Sequence, residues 1–253
     1  MGPIILLYHS IVENKPVVPY AVSRRVFYDQ ILWLIDRGYQ FISLATLVRS
    51  LRTGVAAISR KQVALTFDDG YQDFLIHAFP LLVRHRLPAT VFLVTDMLGQ
   101  TSTFSSYSKE APLMSEKEVW YVKSHGISLG SHTLTHPDLT TLSDEELQRQ
   151  LVNSRITLTD FGETFYSFAY PFGYYKKREV EAVKAAGYKC ALTVNANFPG
   201  PDLCQLGRFS VDCDMDIDSF RHMISDPSLS NDGLVGRAWT VARAVKRRLF
   251  SGK

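Results

Sequence analysis

"MSEKEVWYVKSHGISLGSHT" (residues 114–133) holds a helix and a strand with a glycine between them. Ser115 and Glu118 have the spacing of a capping box, which starts the helix. Gly126 stops it, and an apolar strand follows. The same phrase recurs along the chain. "FYDQILWLIDRGYQFISL" (27–44) sets Ile31, Leu34 and Ile35 at helical spacing, with Gly38 as a C-terminal cap before a strand. "REVEAVKAAGYKCALTV" (178–194) does the same around Gly187, and "FPLLVRHRLPATVFLV" (79–94) uses Pro88 as the break. "SDEELQRQLVNSRITLTDFG" (143–162) opens on a second capping box, Ser143 and Glu146, ahead of a strand near "FYSFAYP". Helices alternating with short buried strands call for βα units and a parallel sheet. With about six or seven such units, the expectation is a closed or nearly closed barrel whose functional groups sit at the carboxyl ends of the strands.

Composition bounds the class. The chain has 253 residues, 46% hydrophobic and 21% charged, as an ordinary globular protein does. A net charge of +3 is too small to imply a nucleic-acid partner. No apolar run reaches the roughly 18 residues of a membrane span. The start, "MGPIILLYHSI", lacks a basic n-region and an apolar segment of signal-peptide length, so the expected setting is cytoplasmic or peripheral to a membrane, unless a leader has been trimmed. The three cysteines, Cys190, Cys204 and Cys213, form no CxxC pair and read as reduced thiols.

The chemistry begins at "VALTFDDGYQD" (63–73), an apolar strand that ends in two adjacent carboxylates, Asp68 and Asp69. Like charges at the edge of a core repel, so a cation that neutralises one of them is implied. "SLGSHTLTHPDL" (128–139) supplies two histidines, His132 and His136, four apart and also after an apolar strand. A helical turn or a tight loop would aim both at one point. Two imidazoles and a carboxylate suit a divalent metal with open positions, as catalytic zinc sites require. The other acid would then serve as a base, since a metal lowers the pKa of bound water from about 15.7 to roughly 7.

"TFDDG" followed by "SHTLTH" resembles the first two motifs of the NodB-homology polysaccharide deacetylases, the family 4 carbohydrate esterases. The resemblance runs from "LLYHSI" to about "LGRFSVD". It implies a distorted (β/α)7 barrel, with Asp68 as general base and Asp69, His132 and His136 as ligands of one divalent metal ion. Zinc is the default, with nickel, cobalt or manganese as alternatives. The implied reaction removes N-acetyl groups from GlcNAc-type sugars of a glycan or a lipid-linked sugar. An O-acetyl esterase, another amide hydrolase and a catalytically weak glycan-binding module remain as alternatives.

"FAYPFGYY" (168–175) matches the end of the family's third motif but lacks its arginine. By resemblance the Phe172 backbone N–H holds the oxyanion, and Tyr170, Pro171 and Phe172 wall the sugar pocket. Arg208 in "LGRFSV" is the candidate to replace the missing arginine and orient Asp68. The family's late Leu-x-His motif has no counterpart after residue 190. His9, after the first strand, resembles the early histidine of the poly-N-acetylglucosamine deacetylase subgroup and is the candidate acid; a buried histidine tying down that strand is the alternative. Asp73 reads as a helix-start carboxylate. His77, His85 and His125 read as surface or boundary positions, and Trp33 and Trp120 as core.

One domain is expected over residues 1–230. Residues 231–253, "NDGLVGRAWTVARAVKRRLFSGK", read as a basic amphipathic helix. It either lies on an anionic membrane or packs on the barrel with a solvated basic face. If it lies on the membrane, deleting residues 234–253 abolishes cosedimentation with anionic vesicles; unchanged binding discards that reading.

Overall fold

The computed structural model describes residues 3–14, 20–53, 61–104, 111–194 and 202–225. The chain opens with β1 (Ile4–Tyr8), β2 (Ser10–Val12), β3 (Ala21–Ser23), α1 (Arg24–Asp36), β4 (Gln40–Phe41) and α2 (Leu44–Thr53). The middle holds β5 (Gln62–Phe67), α3 (Phe79–His85), β6 (Ala89–Leu93), α4 (Glu116–Ser124), β7 (Ser128–Ser131) and α5 (Asp144–Asp160). β8 (Ser167–Ala169), α6 (Lys177–Ala185), β9 (Cys190–Leu192), β10 (Phe209–Ser210) and α7 (Ile217–Ser225) follow.

The main sheet runs β10-β1-β5-β6-β7-β8-β9, with β4 added beside β5, and every pairing in it is parallel. One short stretch joins its two ends. Leu206 bridges Leu192 at the end of β9, and Phe209 pairs with Leu6 of β1 only three residues later. The curled sheet is thereby a distorted (β/α)7 barrel.

Strand sequence and layer agree residue by residue. β1 and β6 are buried throughout, as parallel strands covered on both faces must be. Alternate residues part: Ile4, Leu6, Val63, Leu65, Val91 and Leu93 pack in one cluster with Phe27, Ile31 and Leu34 of α1. Ile5, Ala64 and Phe92 point the other way, into a cluster with Leu44, Leu47 and Val48 of α2. That period of two puts the apolar layer under the helices and leaves room for polar groups inside the barrel.

Some local expectations hold and others are corrected. The Ser115–Glu118 capping box is complete. The second is half a box: Ser143 caps the Glu146 N–H, but the Glu146 carboxylate turns to Arg149 and Gln150. α1 is capped by Arg37, and Gly38 follows it at φ 72°, the conformation glycine adopts most cheaply. Asp73 makes no side-chain cap; its carboxylate accepts from the Ser10 hydroxyl and ties β2 to the helical segment after Asp69. Trp33 packs against the core, but Trp120 is 50% exposed, because α4 turns Val119 and Val122 inward. His85 and His125 are exposed, and half-buried His77 faces Glu13 at 3.4 Å. All three cysteines are free. Residues 226–253, with the expected amphipathic helix, lie outside the described residues. No helix among the described residues is long and apolar enough to cross a membrane.

Gly130 of β7 has no room for a side chain. A Cβ there would lie 2.4 Å from the Phe92 ring and 2.9 Å from Ser167 Oγ. Gly130→Ala is expected to destabilise the fold by about 1–3 kcal/mol, seen as a lower urea midpoint at unchanged slope.

Candidate metal centre and active site

Four of the expected residues stand just past strand ends. β5 ends at Phe67 and delivers Asp68 and Asp69; β7 ends at Ser131 and delivers His132; β1 ends at Tyr8 and delivers His9. His136 arrives by a tight loop rather than a helical turn. Its backbone, like that of Asp69 and Thr133, adopts a left-handed conformation, with φ of 60°, 71° and 72° respectively.

Asp69 Oδ1 lies 3.5 Å from both His132 Nε2 and His136 Nε2, and the two imidazole nitrogens are 3.2 Å apart. His132 Nδ1 is 2.8 Å from the Ala169 carbonyl, which can only accept, so Nδ1 carries the proton and Nε2 presents its lone pair to the cluster. Burial lowers both imidazole pKa values, leaving the rings neutral near pH 7. Burial and the adjacent Asp68 charge push the Asp69 carboxyl up to about 8. Asp69 Oδ1 has no hydrogen-bond partner among the described residues. Three potential ligand atoms thus converge in a buried place, where a bound cation would take over from the proton that the raised pKa leaves on Asp69. A tetrahedral ion with ligand bonds of about 2.0–2.2 Å would hold its ligand atoms about 3.3–3.6 Å apart. The three side chains fit a divalent metal of that size.

Asp68 belongs to a different network. Arg208, fully buried, grips it in a fork: one terminal nitrogen donates to Oδ1 and the other to Oδ2, each at 2.7 Å. The remaining guanidinium donors go to the Thr193 carbonyl at 2.9 Å and to Thr66 Oγ1 at 3.3 Å, while Phe92 lies 5.7 Å from the guanidinium carbon. Burial pushes the Asp68 carboxyl up, but Arg208, His132 and His9 together outweigh it and hold the pKa at about 2. Asp68 Oδ2 is 3.9 Å from His132 Nε2, so the ionised carboxylate stands beside the metal cluster without joining it.

His9 is half-buried, its ring centroid 5.5 Å from that of Tyr20. Burial holds its pKa down to about 4 against the opposing pull of Asp68. Phe172 sits in the turn after β8 at φ 58°, its ring edge-on to His136 at 4.5 Å. Phe104, which stands in no motif, stacks on His136 at 4.3 Å. Tyr170 and Pro171, expected to wall the sugar pocket, lie in the turn that follows β8. Both are buried; the Tyr170 hydroxyl donates to the Cys204 carbonyl at 2.9 Å, and its ring packs on Phe168 and Tyr175. They support the turn that carries Phe172.

Residues 56–191 match the family model described as polysaccharide deacetylase. The chain belongs to that family. Among curated relatives, YxkH of Bacillus subtilis (strain 168) is 29% identical over 190 residues, covering 75% of this chain and 63% of that protein. The poly-beta-1,6-N-acetyl-D-glucosamine N-deacetylase of Staphylococcus epidermidis is 26% identical over 196 residues, covering 75% and 66%. The chain thus spans just under two thirds of the length of these two relatives. Among solved structures, the Streptococcus pyogenes deacetylase PplD in complex with acetate superposes with a TM-score of 0.74 at 26% identity, covering 88% of this chain and 98% of that one. IcaB from Ammonifex degensii, at 22% identity and a TM-score of 0.73, shares the fold. Arg208, beyond the residues that match the family model, makes its fork from the segment that closes the barrel.

Arg208→Met would leave Asp68 charged, buried and unpaired, so a loss of about 3–5 kcal/mol is expected at pH 7. The depressed Asp68 pKa stabilises the fold above its ordinary value of 3.8, and that contribution is lost as pH falls from there toward about 2. Protonated Asp68 has little need of the guanidinium, so the variant's deficit should shrink below pH 4; urea unfolding at pH 7 and in acid reads both.

Proposed function

We propose that the chain hydrolyses N-acetyl groups on GlcNAc-type sugars of a glycan, releasing acetate and a free amine. The observation that carries this reading is the division of labour at one strand end: Asp68 gripped by Arg208, Asp69 grouped with His132 and His136. It is supported by the Staphylococcus relative, named for N-deacetylation of poly-beta-1,6-N-acetyl-D-glucosamine, and by PplD, a deacetylase solved with acetate.

Asp69, His132 and His136 would hold one divalent cation, zinc by preference for this N/O donor set, which supplies a Lewis acid for the acetamide carbonyl and acidifies the attacking water. In this reading Asp68 takes the water's proton. The two parallel bonds from Arg208 fix the carboxylate plane and keep it ionised at rest, so it is ready to accept. The Phe172 backbone N–H donates to the oxyanion as the carbonyl becomes tetrahedral. Phe104 and Phe172, both packed on His136, keep water away from that ligand. His9 passes a proton to the leaving nitrogen, because cleavage without one would expel an amide anion. With its pKa at about 4, His9 is neutral at rest; as the negative adduct forms it takes up a proton from solvent, or the one Asp68 has removed from the water, and hands that proton to the leaving nitrogen.

Acetate release from N-acetylglucosamine oligomers tests the reading. Metal-loaded wild type should be active and chelator-stripped protein silent. Asp68→Asn and His9→Ala should each lower kcat by about 10²–10⁴-fold. No release from any N-acetylated glycan despite stoichiometric metal would sink the proposal; release from O-acetylated glycans alone would replace it with an esterase. Undiminished activity in His9→Ala would remove that residue from the chemistry.

A further inference from the structure

The loop carrying the metal histidines is held from outside by a residue of α5. Between His132 and His136 the chain forms no helix, so none of its N–H groups has an intrahelical partner. Each is met by a side chain. Thr133 N–H donates to Ser131 Oγ at 3.1 Å, and His136 N–H to Thr133 Oγ1 at 2.9 Å. The two in the middle, Leu134 and Thr135, both donate to one atom, Gln150 Oε1, at 2.9 and 3.2 Å.

Gln150 is 1% exposed, on the inward stripe of α5 between Leu147, Leu151 and Leu158. A buried amide is costly unless its hydrogen bonds are made. Here all are made, and toward one target. Its nitrogen donates to Thr135 Oγ1 at 2.9 Å and to Glu146 Oε1 at 3.0 Å, so oxygen and nitrogen together clamp residues 134 and 135. One turn along, Ser154 accepts from Ser131 at 2.8 Å, steadying the start of the same loop. The carbonyls of Thr133 and Leu134 are taken by the Thr95 and Asp96 N–H groups, each at 3.0 Å. The loop needs such support, because Thr133 and His136 both hold left-handed backbones that would relax if released.

We propose that Gln150 is a positioning residue of the metal centre: it fixes the 133–136 loop in the one conformation that brings His136 onto the ion with His132 and Asp69, and so sets metal affinity. The proposal rests on the metal reading above, and concerns how the ligands are held rather than the reaction.

Gln150→Met keeps the length and apolar packing of the side chain and removes the clamp. Zinc affinity, measured by competition with a chromophoric chelator well below the melting temperature, should fall about 10–100-fold. The visible spectrum of the cobalt-loaded protein should change in band position or intensity, a readout that a purely structural role in α5 would not move. Gln150→Glu keeps the acceptor but sets a second carboxylate against Glu146; adding Glu146→Gln restores a donor there with the roles exchanged. The double variant should therefore bind zinc more tightly than Gln150→Glu alone, and this comparison stands even if Gln150→Met does not fold. Zinc affinity within about twofold of wild type in Gln150→Met with an unchanged cobalt spectrum, or equal affinity in Gln150→Glu and the double variant, overturns the proposal while leaving the metal centre intact. Absence of zinc binding in the wild type overturns the metal centre and the proposal together.

Discussion

The fork between Arg208 and Asp68 is the interaction on which the rest of the molecule turns. Arg208 belongs to the short stretch that bridges β9 to β1, and Asp68 stands at the end of β5. Their two bonds therefore fasten the seam of the barrel to a central strand and fix a carboxylate in the same act. Neither charge could be buried alone, since each would cost several kcal/mol to desolvate. The polar interior survives because every arm of the guanidinium is used: Asp68, Thr193 and Thr66 take the donors, and Thr66 in turn donates to the Leu6 carbonyl of β1. A lysine, with one point charge, could not span these partners.

Backbone strain collects around the same place. Among the described residues other than glycine, five have positive φ, and four of them are Asp69, Thr133, His136 and Phe172; the fifth, Arg86, merely ends α3. Asp and His tolerate this conformation, whereas a β-branched Thr and a bulky Phe do not adopt it without reason, at a cost of about 1–3 kcal/mol each. The strain lets Asp69 turn away from Asp68 toward the histidines, and lets Phe172 turn back onto His136. It is sustained by the surrounding hydrogen bonds, which is why a loop this short can aim two imidazoles at one point.

Much of this was legible in the chain, and the failures have physical causes. The alternation of helix, glycine and strand led to the barrel, because each unit is a local pattern. The carboxylate pair and the two histidines could be assigned to one centre, because parallel strands place all their carboxyl ends on one side. Tyr170 reads as pocket wall in the sequence because Tyr-Pro-Phe forms one unbroken stretch. At a strand end, neighbours alternate in direction: Tyr170 follows Phe168 into the layer under the helices, and only the left-handed turn at Phe172 returns to the pocket. Phe104 reaches His136 from a loop with no periodic signal, so its contact exists only in three dimensions. Gln150 did leave a trace, a glutamine on the apolar stripe of an amphipathic helix, next to Ser154 one turn on. Two polar groups on a buried face imply a buried polar partner, and the nearest backbone lacking partners of its own is the histidine loop.

The two adjacent acids show why sequence neighbours can take opposite chemical parts. Both are buried to the same degree, so desolvation alone would raise both pKa values alike. What separates them is chiefly one guanidinium, helped by His132 and His9. Arg208 lies against Asp68 and holds it near 2, while Asp69, farther from that charge and next to the Asp68 carboxylate, is pushed to about 8. A site with two such carboxylates can keep one charged at rest and able to accept a proton, while the other trades its proton for a cation. The roles therefore reside in the seam of the barrel, some 140 residues from the motif that displays them.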